Sequence, residues 1–107
     1  MIKCLAIQID QSRDPSHSAD ELLALLKDSG RYPEVDRDPE MPELVQMNLF
    51  SESLAGLWTE IKGQVFTGTH LSNWLAEVAI VVCEGEEGWD DEKLLWHFDH
   101  GETLDEL

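Results

Sequence analysis

The stretch from Glu77 to Asp99 limits the fold more than any other part of the chain. An apolar run, Val78-Ala79-Ile80-Val81-Val82-Cys83, meets an acidic turn marked by glycines, Glu84-Gly85-Glu86-Glu87-Gly88. A second apolar segment then supplies Leu94, Leu95, Trp96 and Phe98. A short, β-branched apolar run that ends in glycine and acid reads as a strand, and as the most buried segment of the chain. The pattern predicts a β-hairpin with arms at 78–83 and 94–98 and an acidic loop at 84–92. In the second arm, alternation places Leu94, Trp96 and Phe98 on one face and Leu95, His97 and Asp99 on the other. The competing reading makes Asp91 a helix cap and Leu94, Leu95 and Phe98 a helical stripe.

The rest of the chain supplies partners for this hairpin. Ile2 to Ile9 reads as a strand, with Leu5, Ile7 and Ile9 on one face and the smaller Cys4 and Ala6 on the other. Asp10 to His17 contains Pro15 and reads as a loop. Ser18 and Glu21 have the spacing of a capping box, and Leu22, Leu25 and Leu26, widened by Leu23, form the buried stripe of a helix that Gly30 stops. Arg31 to Pro42, with Pro33, Pro39 and Pro42, reads as a connecting loop, where Arg31 and Arg37 tie the chain to acidic neighbours or, with Tyr32, meet a partner. Residues 43–50 fit either a strand or two turns of helix. From Ser53 onward, Leu54, Leu57, Trp58, Ile61 and Val65 recur at helical spacing. Thr69 to Leu75 reads as a helical turn or an irregular bridge, and the segment 101–107 as a frayed or disordered acidic tail. This order predicts a single α+β domain over 1–107, with a mixed or antiparallel sheet of three to four strands and two helices on one face. A ferredoxin-like arrangement is the nearest common topology.

Charge narrows what such a domain can bind. Among 107 residues, 23 Asp and Glu oppose 7 Lys and Arg, giving a formal charge of -16. The surplus gathers late: from Glu84 onward Lys93 is the one Lys or Arg. Phosphate contacts require cationic side chains, so direct nucleic-acid binding is not expected, and a basic protein is the natural complement. The 42% hydrophobic content is enough for one core without disulfide or metal support. Gln8 and Asp10 interrupt the N-terminal apolar segment too early for a secretory signal, and the longest apolar run is too short to span a bilayer. The expectation is a cytoplasmic protein with no membrane partner. Cys4 and Cys83 lie in apolar segments at no metal or redox spacing and read as free buried thiols.

Catalytic patterns are weak. No glycine elbow surrounds a serine, neither cysteine lies in an electropositive setting, and Gly85 and Gly88 lie among carboxylates that would repel phosphate. The acidic loop lacks the ligand spacing of an EF-hand. His97, Asp99 and His100 are the one compact set of potential metal ligands, and two of them on one strand face do not complete a site. No catalytic residue, cofactor or metal is therefore assigned. Trp58 and Trp96 fit apolar faces, whereas Trp89 stands between Gly88 and three acids and either folds back over the sheet or protrudes as a binding anchor. The candidate partner-binding residues are Glu84, Glu86, Glu87, Trp89, Asp90, Asp91 and Glu92. The reading that follows is a small acidic inhibitor that occupies a basic surface. Its two forms are a phage-type, DNA-mimicking antagonist of a host defence or nucleic-acid-handling protein, and an immunity protein that neutralises a toxin. The alternatives are a non-catalytic subunit or adaptor with solubilising charge, and a small metal-dependent enzyme using His97 and Asp99.

Overall fold

The computed structural model describes residues 2–107. The chain runs β1 (Lys3–Asp10), α1 (Ala19–Asp28), β2 (Glu34–Asp38), β3 (Met41–Ser51), α2 (Leu54–Gln64), α3 (Ser72–Val78), β4 (Ala79–Gly85) and β5 (Gly88–Trp96), with a short 3-10 turn at Gln11–Arg13. All strand pairs are antiparallel, and the five-stranded sheet has the order β2-β3-β1-β4-β5. The result is a small α+β domain with five strands where the sequence predicted three to four, and three α-helices where it predicted two.

The strand β1 lies at the centre because both of its faces lack charge over most of its length. Leu5 pairs with Leu49 on one side and Cys83 on the other, and Ile7 with Met47 and Val81. These odd-numbered side chains share one face with Val45 and Ala79, and all are buried. Leu22 and Leu26 of α1, Leu57 and Ile61 of α2, and Trp74, Leu75 and Val78 of α3 close over that face. Burying each large side chain there contributes roughly 1.5–3 kcal/mol. The opposite face carries no helix.

Local signals account for the helices. Ser18 N–H donates to the Glu21 carboxylate at 2.8 Å, so the backward half of the predicted capping box is present. The last turn of α1 closes with Arg31 N–H on Leu26 O at 2.8 Å, which Gly30 permits with a φ of 81°. Ser53 caps α2, its Oγ accepting from Gly56 N–H at 3.3 Å. No described helix is long and apolar enough to cross a membrane.

Three local expectations need correction, and the choice left open at 43–50 is decided. Within 31–42, expected to be irregular, residues Glu34–Asp38 form β2. Flanking prolines and alternating charge obscured it, yet both are normal for a short edge strand, where one side of the backbone needs no partner. Arg31 and Arg37 do serve as ties, pairing with Glu60 and, at 2.9 Å, with Asp20. Residues 43–50 belong to β3, so the alternation of Val45, Met47 and Leu49 prevails over the helical spacing. Residues 72–78 form α3, whose last residue, Val78, was expected to begin the hairpin strand. In β5 a bulge between the Val81–Trp96 and Val82–Leu94 pairs disrupts the expected alternation. Leu95 and Trp96 consequently both reach the helix-covered side, where Trp96 meets Trp58 and Phe66 edge-on with centroids 6.3 and 5.1 Å away.

Candidate functional site

The β4–β5 hairpin displays its acids through two backbone irregularities. Glu86 and Glu87 alone form the turn, between the paired Gly85 and Gly88. Gly88 adopts a φ of 81°, a conformation that glycine reaches without the steric cost other residues incur. Between the next pairs, β4 advances two residues, from Gly85 to Cys83, while β5 advances five, from Gly88 to Lys93. Trp89 to Glu92 therefore bow out of register from the sheet edge. Gly85 makes room for this bow: a β-carbon there would collide with the Asp91 carbonyl oxygen and approach Asp91 Oδ2 to 2.7 Å.

The expected acidic loop at 84–92 is thus mostly strand, and its seven candidate residues separate into two groups. Glu86, Glu87, Asp90 and Glu92 are exposed, as is Trp89, at 45%. Glu84 turns back instead, accepting the Cys4 N–H at 2.7 Å, and Asp91 sits 3.6 Å from Lys93 Nζ. Glu84 thus ties the hairpin to β1, while Asp91 stays paired within the hairpin. The outer edge of β5 is partly covered by the chain end: Asp105 N–H donates to Leu94 O at 2.7 Å, and Leu94 N–H to Asp105 Oδ2 at 2.8 Å.

The proposed metal ligands are engaged locally. His97 Nδ1 accepts from Asp99 N–H at 2.9 Å, and Asp99 Oδ1 accepts from Gly101 N–H at 2.9 Å. Among the described residues, no three His, Cys, Asp or Glu side chains converge as a metal-ion set. Both cysteines are free and buried. Burial pushes the Cys4 thiol up to about 11, with Glu84 adding to the effect, and burial likewise raises that of Cys83. Neither is poised as a nucleophile.

Two features escaped sequence reasoning. His17 stacks edge-on against His70 and Trp74, with centroids 6.1 and 5.9 Å away, and its Nδ1 lies 3.1 Å from Glu21 Oε1. Nothing in a 53-residue separation announces the histidine pair. On the helix-free sheet face, a row of amides crosses three strands: Gln8 Nε2 to Gln46 Oε1 at 3.4 Å, Gln46 Nε2 to Asn48 Oδ1 at 2.8 Å, and Asn48 Nδ2 to Asp36 Oδ2 at 2.7 Å. Its signal is the placement of Gln8, Gln46 and Asn48 at alternate positions of otherwise apolar strands. Comparison with protein families, curated proteins and solved structures finds no match to this chain.

Proposed function

We propose that this chain is a small acidic binding protein that blocks a basic surface on a partner protein. The observation that carries the reading is the bowed segment of β5, which holds Trp89, Asp90 and Glu92 outward beside Glu86 and Glu87. An exposed aromatic ring ringed by carboxylates offers an anchor for apolar contact and a field that attracts cations. Such a field speeds encounter and makes it sensitive to salt. The dimensions support a DNA-mimicking form of this activity: the domain measures 36 × 29 × 27 Å, and one duplex turn of roughly 35 Å carries about twenty phosphates. The partner is then a nucleic-acid-handling protein, such as a host defence factor met by a phage-type antagonist. A basic toxin met by its immunity protein has the same surface chemistry. The strand order and the succession β1-α1-β2-β3-α2-β4 support reading the scaffold as ferredoxin-like, with α3 and β5 added. The protein acts without catalysis, in the cytoplasm.

The test is capture of partners from a cell lysate by the immobilised protein at low and at high salt. A basic protein retained at low salt and released at high salt is the expected result. Recovery of nothing basic at low salt, or of a partner indifferent to salt, contradicts the proposal.

A further inference from the structure

The acidic hairpin is not the only surface suited to a cationic partner. On the helix-free face, at the end of β4 opposite the hairpin turn, a cleft of about 510 Å³ opens between β2, β3, β1 and the start of β4. That volume lies within the roughly 300–1,000 Å³ range of ligand-binding clefts. Leu44, Ile80 and Phe98 supply its apolar lining, and Gln8 and Gln46 its amides. Asp10, Asp36 and Asp38 stand at the same cleft.

The charges around the cleft are unbalanced. Arg37 also borders it, but its guanidinium is spent on Asp20 at 2.9 Å. Arg13 lies with its guanidinium carbon 3.6 Å from the Phe98 ring centroid and donates to Glu77 O at 2.8 Å, so it steadies the ring. Among the described residues, none of Asp10, Asp36 and Asp38 pairs with a cation. The row of amides ends on Asp36, with Asn48 Nδ2 holding its Oδ2 while the residue stays exposed. The carboxylate is thereby oriented before any partner arrives, which lowers the ordering cost of binding.

We infer that this cleft is a docking site for a cationic amphipathic segment of a partner protein, which seats an aliphatic or aromatic side chain against Leu44, Ile80 and Phe98 and places Lys or Arg beside Asp10, Asp36 and Asp38. Charge complementarity selects this occupant. A second copy of the chain would bring the same three carboxylates to the contact, and each copy carries a formal charge of -16. The inference deepens the proposed function by giving the partner a second point of attachment, and it rests on that reading for the partner's basic character. The site itself fails or survives separately from the hairpin.

The test titrates the isotopically labelled full chain with a short amphipathic Leu/Lys peptide and follows backbone amides by NMR. Shifts centred on Gln8, Gln46, Ile80 and Phe98 are expected, and they should be absent with a Leu/Glu peptide and weaker with oligolysine. Asp36→Lys combined with Asp38→Lys changes exposed side chains of an edge strand and should weaken this binding by about tenfold. Glu86→Lys with Asp90→Lys should leave these shifts in place, which separates the cleft from the hairpin. Shifts confined to 86–92, equal shifts with oligolysine, or concentration-dependent shifts at the cleft without peptide would each overturn the inference.

Discussion

Replacing Gly85 by alanine tests whether the hairpin bow depends on close backbone approach. Gly85 does not have a positive φ, so the added methyl acts through space alone. It would meet the Asp91 carbonyl oxygen in hard contact and its Oδ2 at 2.7 Å. A backbone atom cannot swing away as a side-chain end can, so the bow must open or β4 must shift. Overpacking of this kind typically costs about 1–3 kcal/mol. For a domain near this size, each kcal/mol lowers Tm by roughly 4–8 °C. The matched control is Gly63→Ala, in the last turn of α2, where a β-carbon meets nothing within 4 Å. That change should stabilise the fold by about 0.5–1 kcal/mol, through helix propensity and a less flexible unfolded chain. Thermal and urea unfolding of the two variants, followed by circular dichroism, should give opposite signs. A neutral Gly85→Ala, or two shifts of the same sign, would refute the account of how β5 is held out of register.

Three further predictions concern ionisation. The Cys4 thiol, raised to about 11, should react slowly with disulfide reagents near pH 8 until urea unfolds the chain; fast labelling of native protein would contradict its burial. Because the folded value lies above the thiol's ordinary 9.0, the associated stability is present below pH 9 and is lost as pH rises through about 11, a loss that Cys4→Ala should reduce. The carboxyl of Glu21 is held below its ordinary 4.5, first by the Ser18 N–H and then by His17. Its contribution is therefore present above pH 4.5 and lost as pH falls through the lowered folded value, so Glu21→Gln should flatten the acid limb of the stability curve. An unchanged acid limb would count against the half-formed capping box.

What the sequence made legible follows from where burial writes a regular pattern. In β1, α1, α2 and most of β4, each core-facing position is apolar, and these elements lie where periodicity places them. The strand β2 has Val35 alone facing inward, and its charges reflect an edge position that only the tertiary fold defines. The end of α3 merges into β4 with no glycine or proline between them, so the apolar run beginning at Val78 concealed a change from helix to strand. Bulges are the main source of error in the second arm of the hairpin. One carries Leu95 and Trp96 to the same side, and the other turns an expected loop into a bowed strand. At the candidate site, composition located the acidic segment and singled out Trp89. It could not reveal that Glu84 turns inward to Cys4, because that contact spans 80 residues of chain. The cleft on the open face was equally hidden, being assembled from four strands and Phe98.

The central claim is that outward-facing acids of the hairpin attract a basic partner. It is tested most directly by the association rate of a captured partner measured across ionic strength, for the native chain and for a variant combining Glu86→Lys, Glu87→Lys, Asp90→Lys and Glu92→Lys. All four side chains are exposed, so the fold should survive the reversal. The account predicts rapid association that slows steeply with salt for the native chain, and a slower, nearly salt-independent rate for the variant. Equal rates and equal salt dependence in the two proteins would contradict it.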